Sequence, residues 1–175
     1  RELSRALERE ENLRITLIFD FNRAHREYTC SDSGSKRPQF HVILPLLQKF
    51  GRKRIELKLY EMPPTNAVKR VLLPPEIREA LGVYHVKFCV VDDTVILTGA
   101  NLSEEYFENR QDRYIMVSNA KMTSFIDTFS CSFTRLCHDV NPDGSVDPPE
   151  LGQVKVAASL RDALTRELVS TGEEG

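Results

Sequence analysis

At 175 residues, with 41% hydrophobic and 29% charged side chains, the chain holds enough apolar material for one globular core, or for one half of a larger one. Its formal net charge of −2 gives no basic excess that would recommend nucleic acid as a partner. No apolar run approaches the roughly 20 residues needed to cross a bilayer; the longest, near 83–91, is strand-sized.

The elements are read in chain order. Residues 1–11 carry helical spacing at Leu3, Ala6 and Leu7 and join through Asn12 to a strand over Leu13–Phe21, rich in β-branched and aromatic side chains. Residues 22–38 read as a polar loop. Phe40–Phe50 is helical in pattern, stopped by Gly51, and Pro45 marks either a kink or the start of the helix. Ile55–Tyr60 alternates as a strand and Met62-Pro63-Pro64 ends it. Pro74 opens a short helix to Leu81. Two apolar strands follow, Tyr84–Val91 and Val95–Thr98, the first expected to be buried on both faces. Gly99–Asn109 is a loop or helical turn capped near Ser103, and Gln111–Ser118 is a further strand. Lys121–His138 is an amphipathic helix through Met122, Phe125, Ile126, Phe129, Phe133 and Leu136. Asn141–Gly152 reads as a linker, and Val156–Val169 as a second amphipathic helix before an acidic tail. Strands alternating with helices predict an α/β, mixed α+β layer fold. The four cysteines, Cys30, Cys89, Cys131 and Cys137, form no C-x-x-C pair, and free thiols in a reducing compartment are expected. Cys89 is placed inside the motif strand, packed as a small apolar group. The chain begins without Met in what reads as the body of a helix, so the numbering is expected to start within a longer protein.

The chemistry concentrates in His85-Val86-Lys87, continued by Asp92 and then by Gly99-Ala100-Asn101. On a strand, residues two apart share a face, so His85 and Lys87 project together. A lone His there is more often a satisfied structural residue, and a lone Lys is usually edge protection. The pair, the Asp92-Asp93-Thr94 turn, the second apolar strand and the Gly-Ala-Asn turn together favour a phosphate ligand. Asp92, five residues past Lys87, falls on the opposite face of a straight strand, so a bend or the turn must bring it back. Lys49, Arg52, Lys53 and Arg54 form a cationic run read first as a solvated loop at a helix end, with anionic lipid headgroups as the sharper alternative.

The H-x-K-x4-D and G-x-N pattern resembles a half-site of the phospholipase D superfamily. Leu17-Ile18-Phe19-Asp20-Phe21-Asn22-Arg23, Leu44-Pro45-Leu46-Leu47, Val95 to Ser103 and Tyr106 to Tyr114 resemble its eukaryotic phosphatidylglycerophosphate synthase branch, the CDP-diacylglycerol–glycerol-3-phosphate 3-phosphatidyltransferases. The similarity covers roughly residues 1–120. It implies a phospholipase D-like half-domain over 1–140, lacking its N-terminal strand, with a central mixed sheet flanked by helices, a linker at 141–153, and a helix with an acidic tail at 154–175. The family carries two such motifs and this chain has one, so the second half is expected from the same protein or from a second copy.

The resemblance implies phosphatidyl transfer from CDP-diacylglycerol to sn-glycerol 3-phosphate through a phosphohistidine, with no cofactor and no metal. His85 would be the nucleophile, Lys87 and Asn101 would hold phosphoryl oxygens, and Asp92 would orient or charge-balance the site. Asp112 would fix the His85 tautomer or act at one remove, with an ion pair to Arg110 or Arg113 as the plain alternative. Arg23, Arg26, Arg110 and Arg113 would supply the acceptor's phosphate pocket, against the plain alternative of solvated loop charges. A membrane surface is the implied partner, the mitochondrial inner membrane facing the matrix the implied location, and nucleic acid is not expected. Phe125, Phe129 and Phe133 could face a membrane, but a core-facing helix is the favoured identity. A hydrolase or nuclease of the same superfamily, using water, and a non-catalytic scaffold half are the competing functions.

Overall fold

The computed structural model describes residues 1–30, 33–62, 84–101, 103–150 and 165. The helix expected at 74–81 and, apart from position 165, the one expected at 156–169 lie outside the described residues. The architecture is mixed α+β, as the alternation of elements predicts. The described chain divides into two compact units, one of residues 1–84 with 134–150 and one of residues 85–133.

The first unit opens with α1 (Glu2–Arg9), β1 (Ile15–Asp20) and the short α2 (Phe21–Ala24). A hairpin of β2 (Glu27–Thr29) and β3 (Lys36–Pro38) follows, then a 3-10 turn over Gln39–Val42, α3 (Leu44–Phe50) and β4 (Ile55–Tyr60). Near its end come β8 (His138–Val140) and β9 (Val146–Asp147). These make a four-stranded sheet in the order β1-β4-β8-β9, with β1 parallel to β4 and the other pairings antiparallel. β4 shows why the sheet holds: its period-2 alternation sends Ile55, Leu57 and Leu59 into the core at 0–1% exposure. Leu7 of α1 and Leu44 and Leu47 of α3 share that core, and each fully buried Leu contributes about 1.5–3 kcal/mol.

Pro45 stands in the first turn of α3, so the helix starts there instead of kinking. Gly51 ends it with φ 71, a left-handed backbone that favours glycine. Two expectations are corrected here. Residues 22–38 are not a plain loop: α2 is nucleated because the Asp20 side chain accepts from the Arg23 N–H, and the chain then returns as the β2–β3 hairpin, with Lys36 facing Glu27. Asn141–Gly152 is not a plain linker either, since a turn with Gly144 at φ 88 folds β9 back onto β8.

Three members of the cationic run, Lys49, Arg52 and Arg54, have partners within the fold. Lys49 pairs with Glu8, and Arg52 meets Asp139 at 2.8 Å and Asn141 at 2.7 Å. The Arg54 guanidinium donates to the carbonyls of Leu7, Leu13 and Glu10 at 2.8, 2.9 and 2.6 Å. The Leu7 carbonyl belongs to the last turn of α1, where a helix leaves carbonyls without internal partners, and those of Glu10 and Leu13 follow just beyond it. Arg54→Ala is expected to destabilise the chain by about 2 kcal/mol, read as a lower denaturation midpoint at unchanged denaturant slope. Arg54→Lys should restore little, because an ammonium cannot span three carbonyls as the planar fork does.

The second unit holds β5 (Phe88–Val91), β6 (Thr94–Thr98), α4 (Glu104–Glu108) and β7 (Tyr114–Ser118), and most of α5 (Ala120–Thr134). β5, β6 and β7 form an antiparallel meander, with Phe88 opposite Leu97 and Ile96 opposite Met116. The expectation of a strand buried on both faces is corrected: Cys89 and Val91 are exposed, as one side of an antiparallel sheet can be. α5 ends at Thr134, earlier than expected, because Cys137 turns the chain back to Thr134 and His138 enters β8. Of its aromatic stripe Phe133 is buried and Phe125 and Phe129 are half-buried, with Phe129 meeting Phe88 edge-on at 6.5 Å and stacking on Phe133 at 5.6 Å. Among the described residues no helix is long and apolar enough to cross a membrane.

Candidate active site

The His-x-Lys segment enters the second unit just ahead of β5. The ladder reaches back one residue beyond the strand, the Thr98 N–H donating to the Lys87 carbonyl at 3.2 Å, and stops there. It stops because the partner strand turns away, as the Ala100 N–H bonds back to the Thr98 hydroxyl at 3.0 Å. Residues 84–87 therefore precede the strand, where the sequence placed them within it. His85 is exposed and Lys87 half-buried. The Lys87 ammonium lies 3.1 Å from the His85 carbonyl, which it donates to, so the two functional residues share one small region of backbone.

Asp92 lies elsewhere on the hairpin. It occupies the β5–β6 turn with φ 48, exposed, while Lys87 sits at the open end. At about 3.3 Å per residue the four steps from Lys87 to Val91 alone span roughly 13 Å. The turn leaves Asp92 beside Asp93 in an open groove that Asp127 and Cys131 also line. This placement fits a role in the turn better than a role at the phosphate.

The Gly99-Ala100-Asn101 turn is shaped by Asp112. A Cβ on Gly99 would stand 2.9 Å from one Asp112 carboxylate oxygen and 3.0 Å from the other, so this carboxylate rests on the glycine backbone. The same carboxylate accepts from the Arg113 backbone N–H at 2.6 Å. Asp112 is thus brought to the turn that carries Asn101, which is half-buried and whose carbonyl accepts from the Ser103 N–H. Ser103 stands at the start of α4 as expected, although its hydroxyl makes no cap bond. Arg110 pairs with Glu105 at 3.2 Å and lies over the Tyr106 ring at 4.8 Å, which anchors it to α4. Arg113 is exposed in the loop before β7.

Arg23 and Arg26 belong to the first unit. Arg23 is half-buried on α2 and Arg26 exposed just after it, both beyond the C-terminal end of β1, where open α/β sheets receive ligands. Around them stands an aromatic group, with His25 against Phe21 at 4.1 Å and Phe40 at 5.1 Å. Burial, followed by the charge of Arg37 and then by neighbouring His25, lowers the pKa of His41 in this group.

One residue was missed by the sequence reading. Asp20 is buried at 6% exposure, with Oδ1 accepting from the Arg23 N–H at 2.9 Å and Oδ2 from the Tyr84 N–H at 2.8 Å. The signal was there: an Asp at a strand end followed by a short polar stretch is a helix N-cap pattern. It was absorbed into an over-long strand. The ring of Tyr84 packs edge-on against Tyr60 of β4 at 5.5 Å. Burial, reinforced by the nearby Cys137 thiol and Tyr60, pushes its hydroxyl up to about 12. Burial likewise holds Cys137 at about 12, so it is an inert core thiol. Among the described residues no cluster of three or more His, Cys, Asp or Glu could hold a metal ion.

An α+β chain with an exposed His beside a Lys, next to a Gly-Ala-Asn turn, defines a candidate phosphoryl-transfer site. No model of a known protein family matches the chain. It is similar to proteins named CDP-diacylglycerol–glycerol-3-phosphate 3-phosphatidyltransferase. The one from Saccharomyces cerevisiae is 34% identical over 123 residues, 70% of this chain and 22% of that protein. The one from Gallus gallus, named mitochondrial, is 35% identical over 120 residues, 67% of this chain and 20% of that protein. The Homo sapiens protein, also named mitochondrial, is 36% identical over 108 residues, 62% of this chain and 18% of that protein. A stretch of 123 residues leaves 52 of the 175 unmatched, so wherever it begins it includes residues 53–123 and with them the whole His85–Asn101 segment. The chain is therefore homologous to a segment of the CDP-diacylglycerol–glycerol-3-phosphate 3-phosphatidyltransferases, and spans about a fifth of their length.

Proposed function

We propose that the protein to which this chain belongs transfers a phosphatidyl group from CDP-diacylglycerol to sn-glycerol 3-phosphate, and that this chain supplies one of two half-sites. The observation that carries the reading is homology to enzymes of that name across the segment holding His85, Lys87 and Asn101. In this reading neutral His85 attacks the phosphorus that bears the lipid. The N–P bond forms, the bond to CMP breaks, and an acid from the second half-site protonates the departing CMP. The glycerol hydroxyl then attacks the same phosphorus, its proton passes to that base, and the bond to His85 breaks. Lys87 holds phosphoryl oxygens as a point charge and Asn101 donates to them, since catalysis of such transfers is chiefly positioning and electrostatics. Asp112 supports the Asn101 turn, and Asp92 supports the hairpin. Arg23, Arg26 and Arg113, with Arg110 held on α4, are the candidates for the acceptor's phosphate.

The lipid donor, CDP-diacylglycerol, implies a membrane surface as the place of work. The mitochondrial names of the vertebrate relatives support a mitochondrial location, with the inner membrane's matrix face as our assignment. The test uses the full-length protein with CDP-diacylglycerol in vesicles, with and without glycerol 3-phosphate. CMP release that depends on the acceptor by at least about tenfold is expected, a difference of about 1.4 kcal/mol in barrier. Equal release without acceptor would instead identify a hydrolase, and no release under either condition would remove the enzymatic reading.

A further inference from the structure

We propose that the exposed face of the β5–β6–β7 meander is a lipid-tail subsite, which seats the first methylenes of the donor's acyl chains while Lys87, on the same face, holds the phosphate. The inference rests on the transferase reading, with Lys87 at the phosphate.

The strand register sorts the side chains of the meander into two faces, because residues two apart on a strand, and residues opposite one another across strands, project to the same side. One face holds the rows Phe88–Leu97–Ile115 and Val90–Val95–Val117. α5 lies on this face, where Phe129 meets Phe88 and Val95 is fully buried. The other face holds the rows Cys89–Ile96–Met116 and Val91–Thr94–Ser118. Ahead of them stand Lys87 and Tyr114, the two residues that flank Thr98 on its neighbouring strands.

An antiparallel sheet with one face covered ordinarily turns polar side chains to water on the other. Here Met116 is 71% exposed, Val91 59% and Tyr114 56%, Cys89 is exposed as well, and Ile96 among them is half-buried. A contiguous exposed apolar surface marks a place where something apolar binds. The order of groups along this face selects a lipid. An ammonium comes first, beside a phenol with an apolar ring and a polar hydroxyl. One row further on, about 7 Å away, the surface is apolar. A diacylglycerol nucleotide presents phosphate, glyceryl esters and methylenes in that same order. The apolar strip ends at Thr94 and Ser118, whose hydroxyls lie 3.1 Å apart, and Asp92 and Asp93 occupy the turn beyond. It therefore takes only the start of each acyl chain and leaves the rest in the bilayer. A protein laid over this face would bury the Lys87 ammonium too, which is costly unless it brings a carboxylate; the donor's phosphate supplies the needed charge.

The experiment uses the full-length protein with two donors, CDP-dioctanoylglycerol dispersed as monomers and long-chain CDP-diacylglycerol in vesicles. With the monomeric donor, Met116→Ser is expected to raise KM about 5- to 10-fold, with kcat and KM for glycerol 3-phosphate within about twofold of wild type. Met116→Leu, which keeps an apolar side chain, should stay within about twofold throughout. Ile115→Ser, on the opposite face, should leave the donor KM unchanged. Monomers separate this subsite from the other occupants. If Met116→Ser keeps its KM for the monomeric donor, the inference is overturned: a loss of vesicle binding would then make the face a membrane-docking surface, and a changed molecular mass in solution would make it a protein interface. A second readout needs neither turnover nor a Met116 variant. A donor with a diazirine near the carboxyl end of an acyl chain, photolysed on His85→Ala, is expected to label Cys89, Ile96 or Met116, and label confined to other residues overturns the subsite. Wild type that releases no CMP from either donor would remove the transferase reading and the subsite with it.

Discussion

Replacing His85 with alanine in the full-length protein is expected to lower phosphatidyl transfer by on the order of 10⁴-fold, equivalent to about 5.5 kcal/mol of barrier. The size follows from the role. Without the imidazole there is no covalent intermediate, and the acceptor must displace CMP directly with only positioning and charge to help it. The loss cannot be attributed to unfolding, because His85 is exposed and an exposed position away from caps and cores usually changes stability by less than about 0.5 kcal/mol. Two measurements check it. CMP release should vanish while the denaturation midpoint stays put. A rapid neutral quench of wild type with phosphate-labelled CDP-diacylglycerol should trap the label on His85, and a label found on any other side chain would refute the assignment.

The chain illustrates which physical signals a sequence exposes. β4 was legible to the residue, because Ile55, Leu57 and Leu59 alternate with polar neighbours and face one core. α3 was legible through Pro45 and Gly51, residues whose backbone preferences punctuate a helix. The errors share a different cause. β9 has two residues, β2 and β3 three each, and strands so short show no period; they exist because a neighbour supplies the hydrogen bonds. The start of β5 was misplaced for the same reason, since apolar composition continues upstream of Phe88 while the partner strand ends at Thr98. Strand limits are set by pairing, and pairing is non-local.

At the site, adjacency along the chain was readable and contact across it was not. His85 and Lys87 are near each other because they are two residues apart. The Gly99–Asp112 contact joins positions 13 residues apart and is visible only as the space that a Cβ would need. Asp20 lies 64 residues from Tyr84, and nothing in either local sequence announces the bond. Asp92 shows the limit of spacing. It matched the motif by spacing, yet the hairpin carries it to the end away from Lys87, where its φ of 48 makes it a turn residue.

Lys87 carries the second large effect. Lys87→Met, which keeps the aliphatic stem and removes the charge, should lower kcat by about 10²- to 10³-fold, in the range of a lost transition-state donor at about 2.7–4 kcal/mol. Coulomb's law sets the same scale: a unit charge about 4 Å from a phosphoryl oxygen is worth about 4 kcal/mol at an effective dielectric near 20, a value suited to a half-buried group. A fully exposed Lys would give nearer 1 kcal/mol, so the magnitude itself reports whether the ammonium stays sheltered during turnover. The ladder bond to Thr98 survives the change, because the Lys87 carbonyl, not its side chain, makes it. Lys87→Arg should recover only part of the rate. The ammonium reaches the His85 carbonyl at 3.1 Å as a compact donor, and the broader guanidinium fork cannot occupy that place in the same way. Steady-state kcat and KM for CDP-diacylglycerol, measured side by side for the three proteins, separate the cases. A rise in KM with kcat unchanged would mean that Lys87 binds the ground state alone and has no special hold on the transferring phosphoryl group.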